Sequence, residues 1–209
     1  MEHKKTVAFV TLGCKVNQYE TNAMIQQFKN KGYEILEHDQ KADIYVINTC
    51  TVTNMSDRKS RQMIRRMKEQ NKKAIVVACG CYVQVAKNEL ENIEEIDLAL
   101  GNNEKSKIVE IIEEYQENRN KMEKIEDVMN QKDFVDLGEV TYTSKTRATI
   151  KIQDGCDRFC SYCIIPYARG RVRSRKPEKI VEEAEKIARE RDKRDYNNRN
   201  TYSIIWKRF

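Results

Sequence analysis

Cys156, Cys160 and Cys163 fall in one short stretch, with no histidine and no further cysteine close by. Thiolates this near in sequence are placed to bind one metal centre, and their number limits what that centre is. Structural zinc takes four protein ligands, and a cubane [4Fe–4S] cluster is ordinarily held by four cysteines. A three-cysteine loop leaves one iron of such a cube without a protein ligand, open to a substrate or cofactor. The competing reading is a zinc knuckle short of one ligand, or three unrelated thiols. Spacing and surroundings together favour the cluster.

Those surroundings are specific. The run Lys151-Ile152-Gln153-Asp154-Gly155-Cys156, continuing through Cys163-Ile164-Ile165-Pro166-Tyr167-Ala168-Arg169-Gly170, resembles the radical S-adenosylmethionine (SAM) superfamily in its methylthiotransferase branch. The resemblance implies that Cys156, Cys160 and Cys163 hold a [4Fe–4S] cluster whose open iron chelates SAM, with Tyr162 near the SAM. Electron transfer from the cluster then cleaves the sulfonium reductively. In such systems the cofactor carries the chemistry while the protein positions and shields it.

The elements that must position these groups are legible in the first hundred-odd residues. Short apolar runs at Thr6–Thr11, Asp43–Asn48, Ala74–Ala78 and Asp97–Leu100 read as buried strands. Helix-like stretches follow them at about Gln18–Lys31, Ser56–Gln70, Val83–Glu91 and Glu104–Glu117. Continuous apolar strands alternating with amphipathic helices argue for a parallel sheet covered on both faces. The expected fold is α/β, a flavodoxin-like doubly wound parallel sheet.

On that sheet Cys14 follows the first strand, Cys50 ends the second and Cys81 follows the third. Ligands of open α/β sheets bind at the carboxyl ends of the strands, so three thiols from three strand ends can converge on one metal site. Buried structural cysteine is the plain alternative, common for this residue type, but three of them at three strand ends favour a site. Cys79 lies two residues before Cys81 and shares its face in a strand, so geometry alone leaves it a competitor. The runs Thr11-Leu-Gly-Cys14-Lys-Val-Asn-Gln-Tyr-Glu20-Thr, Ile47-Asn-Thr-Cys50-Thr-Val-Thr and Gly80-Cys81-Tyr-Val-Gln84 resemble the cysteine motifs of the methylthiotransferase N-terminal domain. That resemblance assigns Cys14, Cys50 and Cys81, not Cys79, to a second [4Fe–4S] cluster, again with a free iron, that handles sulfur. Within the family, Thr11-Leu-Gly-Cys14-Lys-Val-Asn and Lys59-Ser-Arg-Gln62 look most like the subgroup acting on N6-threonylcarbamoyladenosine. The implied reaction adds a methylthio group to C2 of that base at position 37 of tRNA. The implied partners are tRNA and an electron donor, with no DNA and no membrane. The alternative class is a non-catalytic iron–sulfur or zinc protein, serving electron transfer or nucleic-acid binding.

Composition agrees without deciding. Of 209 residues, 34% are charged and 39% hydrophobic, no apolar run approaches a membrane span, and no signal-peptide core follows Met1. A cytoplasmic location is the default, where seven cysteines read as metal ligands rather than disulfides. The formal charge of +6 suits a polyanion. One basic segment comprises Arg58, Lys59, Arg61, Arg65, Arg66, Lys68, Lys72 and Lys73, and a solvated helix face explains it equally well. Another comprises Arg169, Arg171, Arg173, Arg175 and Lys176. In extended chain the four arginines would line one side and track a phosphate backbone beside the cluster. The lone His3 and His38 read as surface residues, and no P-loop, G-x-G-x-x-G or Ser-His-Asp pattern is present.

The expected organisation is an N-terminal domain over 1–117, a charged linker over 118–138 and the start of a radical SAM domain over 139–190. In that last part a strand over Val140–Ile152 delivers the cysteine loop. Pro177 then opens a helix with Ile180, Ala184 and Ile187 on its apolar face, making the first β/α unit of a radical SAM partial (β/α) barrel. Residues 191–209 change character. Codons can be chosen for this tail that, after one base is dropped, spell the Leu-Thr-Gly-Ile-His-like second barrel strand, so a frameshift near 190 is expected. A lone β/α unit cannot bury its sheet face. The chain is therefore expected to be a truncated form, partly unfolded past 140 and poor in turnover.

Overall fold

The computed structural model describes residues 4–118, 121–138, 140 and 148–195. Six strands form one sheet: β1 (Thr6–Thr11), β2 (Glu34–Leu36), β3 (Ile44–Thr49), β4 (Ile75–Gly80), β5 (Leu98–Leu100) and β6 (Met122–Lys124). Their order is β2-β1-β3-β4-β5-β6 and every pairing is parallel. The strand order reverses beside β1, the topological switch at which such sheets bind ligands. The helices are α1 (Lys15–Asn30), α2 (Asn54–Gln70), the short α3 (Cys81–Val85) and α4 (Lys87–Leu90), and α5 (Ile108–Asn118) behind a 3-10 turn at Glu104–Lys107.

Both faces of the sheet are dry, which is why its strands read as unbroken apolar runs. On one face Val7, Val46, Val77 and Leu98 pack against Met24 and Phe28 of α1 and Ile108 and Ile112 of α5. On the other, Ala8, Tyr45, Ile47 and Val76 pack against Ile64 and Met67 of α2, Val83 of α3 and Leu90 of α4. The Thr53 hydroxyl caps α2 by accepting from the Ser56 amide at 3.2 Å, which starts that helix two residues ahead of the expected Ser56. The expected helix over Val83–Glu91 is two short helices with Ala86 between them.

Two strands of this sheet lie outside the expected set. β2 and β6 have only three residues each and sit at the two edges of the sheet. An edge strand is stabilised by one neighbour and has no need of a long apolar run. β6 lies in the charged stretch read as a linker, where it pairs with β5.

Beyond the sheet the chain is held by short elements: β7 (Gln153–Asp154) antiparallel to β8 (Arg173–Ser174), α6 (Ile165–Arg169) and α7 (Pro177–Asp195). Of the strand expected over Val140–Ile152, residues 141–147 lie outside the described set, and 148–152 carry no strand. α7 starts at Pro177 as expected and runs past 190, five residues into the stretch read as aberrant. Residues 196–209 of that stretch lie outside the described residues.

Candidate metal centres

The first cysteine trio is assembled by the sheet. Cys14 is the N-cap of α1, three residues past β1; Cys50 directly follows β3; and Cys81, the first residue of α3, directly follows β4. These three strands are adjacent, so three thiols distant in sequence stand on one edge of the sheet. Cys50 and Cys81 are 2% and 3% exposed, while Cys14 is open to solvent.

The loops around them are tight. A Cβ on Gly13, at φ +98°, would lie 2.6 Å from Cys50 Sγ. On Gly80, at φ +101°, it would lie 2.5 Å from the Thr49 carbonyl oxygen. Both positions require glycine, once for the backbone angle and once for the close approach. Asn17 Nδ2 donates to the carbonyls of Leu12 (2.7 Å) and Thr49 (2.8 Å), tying the chain just before Cys14 to the chain just before Cys50. The Ser60 hydroxyl donates to the Cys50 carbonyl at 3.1 Å.

Cys79 is of another kind. It is fully buried in the core cluster with Val77 and Leu100. Burial pushes its thiol up to about 12, so it is a protonated apolar side chain. Burial also raises the Cys81 thiol, but Arg169 and Lys105 oppose the rise. Lys105 opposes the rise of the Cys79 thiol as well, so the influence that distinguishes Cys81 is Arg169.

The second trio is assembled by local spacing. Cys156, Cys160 and Cys163 lie between β7 and α6, Cys160 exposed and the other two partly covered. The turn is fixed by the Cys163 amide donating to the Cys160 carbonyl (2.9 Å) and the Cys156 amide donating to the Gly170 carbonyl (3.0 Å). Phe159 holds a positive φ of 45° inside it, where non-glycine residues are uncommon. Tyr162 is 90% exposed, and Tyr167 meets Phe159 edge-on at 6.1 Å.

Among the described residues, no three Cys, His, Asp or Glu side chains close on one point as ligands of a single ion do. Sulfurs sharing one tetrahedral zinc stand about 3.8 Å apart. In a [4Fe–4S] cube each cysteine thiolate binds its own corner iron. The donor sets, sulfur only and three to a site, fit that group.

A buried ionic network joins the two regions. Glu20, 1% exposed on α1, accepts from Lys105 Nζ (2.5 Å), Lys151 Nζ (2.7 Å) and Arg169 Nη1 (2.7 Å). Asp154 accepts from Lys151 at 2.6 Å and Arg169 at 3.1 Å. Burial alone would raise the Glu20 carboxyl; Arg169, Lys105 and Lys151 instead hold it well below the usual carboxylate range. Asp154 is depressed in the same way, burial being outweighed by Arg169 and Lys151. Asn102 Nδ2 donates to the Ala168 carbonyl at 2.7 Å, so α6 also docks by its backbone.

This network corrects the expected arginine stripe. Arg169, Arg173 and Arg175 are 4%, 4% and 7% exposed and face inward. Arg173 Nη2 donates to the Arg169 carbonyl at 2.5 Å, and Arg175 pairs with Glu183 and, at 3.2 Å, with Asp136. The stretch after Cys163 turns through α6 and Gly170 instead of staying extended, which is why alternate residues do not share an outer face. Of the four, Arg171 alone is exposed, its guanidinium 5.4 Å from the Phe159 ring centre. The first basic segment, on and just beyond α2, keeps Arg58, Lys59, Arg65, Arg66, Lys72 and Lys73 exposed, while Lys68 pairs with Asp97 at 2.7 Å.

Asn17, Glu20, Lys105, Lys151 and Asp154 were not singled out by residue type. A signal for two of them exists: Asn17 and Glu20 follow Cys14 at intervals of three residues at the start of a helix, which places them on its side.

Comparisons with known proteins bear on both regions. Residues 6–101 match the family described as Uncharacterized protein family UPF0004, and residues 150–196 match the Radical SAM superfamily. The chain is 46% identical over 182 residues to the threonylcarbamoyladenosine tRNA methylthiotransferase of Bacillus subtilis, covering 87% of this chain and 40% of that protein. With the enzyme of the same name from Aquifex aeolicus identity is 47%, over 87% of this chain and 44% of that protein. A ribosomal protein uS12 methylthiotransferase of Clostridium botulinum is 34% identical, over 88% and 42%. The chain thus spans about two fifths of the length of the curated relatives it matches. With both domains matched in order and both cysteine trios inside the matched ranges, the chain belongs to the radical SAM methylthiotransferase family.

Proposed function

We propose that this chain supplies both iron–sulfur sites of a tRNA methylthiotransferase acting at C2 of N6-threonylcarbamoyladenosine at position 37. The family uses SAM and two [4Fe–4S] clusters. Cys156, Cys160 and Cys163 hold the cluster that binds SAM, and Cys14, Cys50 and Cys81 hold the auxiliary one. When bound, these groups supply radical activation of a C–H bond that acid–base catalysis cannot reach.

The chain's own residues do the positioning. The three strand ends fix the first trio, the Glu20 network docks the second region against it, and Tyr162 stands exposed beside Cys163, where SAM would lie. RNA contact falls to Arg171 and the outer side of α2, since Arg169, Arg173 and Arg175 are occupied internally. The partners are tRNA and an electron donor, without DNA or membrane, and the location is the cytoplasm. Among the described residues no helix is long and apolar enough to cross a membrane. The domains divide at about 117 and 139.

The observation that carries the reading is the placement of three cysteines on three adjacent strand ends, docked against a three-cysteine loop. Anaerobic reconstitution tests it. Two clusters are expected, with SAM changing the spectrum of one, and replacing Cys156, Cys160 and Cys163 by alanine should remove about half of the iron. Tetrahedral zinc at both places, with no response to SAM, would replace the reading with a non-catalytic metal protein.

A further inference from the structure

Arg169 belongs to the segment that carries the second cysteine trio, yet its guanidinium is buried against the first. Its Nη2 donates to Asn17 Oδ1 at 2.8 Å. The amide nitrogen of that same Asn17 holds the carbonyls of Leu12 and Thr49, the residues two before Cys14 and one before Cys50. One guanidinium thus braces two cysteine loops through a single asparagine. The helix that Arg169 ends, α6, also packs against α3, whose first residue is the third cysteine, Cys81. The remaining contacts, to Glu20 and Asp154, fix the fork in place, and Arg173 clamps the Arg169 carbonyl.

The charge balance of this cluster is uneven. Among the described residues, the ion pairs of Lys105, Lys151, Arg169 and Arg173 are all with Glu20 and Asp154, four cations against two carboxylates. Buried cations left in excess are costly unless further negative charge lies near. Cys14, Cys50 and Cys81 at the adjoining strand ends would provide it as thiolates once they hold a metal group.

We propose that Arg169 is a positioning residue of the Cys14–Cys50–Cys81 site, bracing its loops through Asn17 and setting the positive field that its thiolates face. The inference rests on the reading of that trio as an iron–sulfur site. Docking of the second region is then part of the first site's chemistry: it adds a guanidinium to the one buried cation, Lys105, that the sheet domain brings to this network. Net charge and hydrogen bonding around an iron–sulfur cluster set its reduction potential. Arg169 and Glu20 touch each other but carry opposite signs, so they act on that potential in opposite directions.

The test uses the full chain with Cys156, Cys160 and Cys163 replaced by alanine, which leaves one site to observe. Iron content and midpoint potential are measured by anaerobic reconstitution and an EPR-monitored redox titration. Arg169→Gln is expected to shift the potential negative and Glu20→Gln to shift it positive, with Arg169→Lys close to the parent because the charge is kept. Lys105→Met leaves Glu20 paired with Lys151 and Arg169, and is expected to give a smaller negative shift. It carries the same test of sign where Arg169→Gln does not fold. A purely structural brace would lower iron content in Arg169→Gln and Glu20→Gln alike, without shifts of opposite sign. Shifts in one direction for both, or none in either, overturn the proposal. A parent that takes up no iron at all overturns instead the assignment of the Cys14–Cys50–Cys81 site.

Discussion

The sheet region and the cysteine-loop region solve the same problem, holding three thiols, by different means. In the sheet region, the thiols come from three strands whose side chains fill two dry faces, and the register of β1, β3 and β4 sets where they stand. In the loop region, the strands are two residues long, and the thiols are neighbours through sequence spacing alone. Apolar burial is non-directional and sums over many residues, whereas the loop region hangs on a few charged contacts centred on Glu20. The first region should therefore resist single polar substitutions, and the second should fail at one or two of them.

Removing Glu20 is the most severe way to press that contrast. Glu20→Leu leaves buried Lys151 and Arg169 with Asp154 as their carboxylate and takes from Lys105 its ion pair with Glu20. Breaking a buried ion pair from one side costs about 3–5 kcal/mol, and three cations here share the loss. Chemical denaturation should show a drop of that order. Limited proteolysis should open first between residues 148 and 176, while the sheet keeps its protection. Simultaneous loss of both regions would show that the sheet depends on the loop as much as the reverse.

Gly13→Ala strikes the other region. The added methyl meets the Cys50 side chain and the backbone must leave φ +98° or bear strain there. The expected cost is about 1–3 kcal/mol. Its signature is selective, with iron lost from the Cys14–Cys50–Cys81 site and retained by Cys156, Cys160 and Cys163. Equal loss at both sites, measured by iron content in each cysteine-substituted background, would remove the distinction.

Why the sheet was readable and the network was not follows from the same contrast. β1 matches its sequence expectation end to end, and β3 and β4 are displaced by one or two residues, because a strand buried on both faces must be apolar throughout. The cysteine positions then followed from topology. Asn17, Glu20 and Lys105 are residue types normally found in water, and nothing local marks them as buried. What buries Asn17 and Glu20 is a segment more than a hundred residues later in the chain, and Lys105 is buried with Glu20. The arginines after Cys163 misled for the complementary reason. Alternate spacing implies a common face only in extended chain, and α6 with Gly170 breaks that geometry.

Acid provides a graded version of the Glu20 experiment. The Glu20 and Asp154 carboxyls are depressed in the folded protein. Their contribution is therefore complete above the unfolded carboxylate value, about 4, and is lost as pH falls through the lower folded values. Hydrogen exchange across residues 148–176 should stay slow down to about that pH and accelerate below it. Thermal stability should fall over the same window by less than Glu20→Leu costs at neutral pH. In Glu20→Gln the acid step should shrink, leaving the part due to Asp154; an unchanged step would assign the acid response elsewhere.

Arg171→Ala should have the smallest effect on folding and sharpens the contrast from the outside. Its neighbours in sequence, Arg169 and Arg173, are buried, while its own side chain lies in solvent beside Phe159 and Asp157. An exposed ion pair or ring contact of this kind is worth about 0.5 kcal/mol or less in many proteins, so denaturation midpoints should be nearly unchanged. If RNA approaches the loop region, the same substitution should weaken tRNA binding several-fold and reduce its salt dependence, since one phosphate contact is lost. Filter binding at two salt concentrations separates the outcomes. An unchanged salt slope would move the RNA surface away from the cysteine loop and onto the exposed side of α2, where Arg58, Arg65 and Arg66 could be tested in turn.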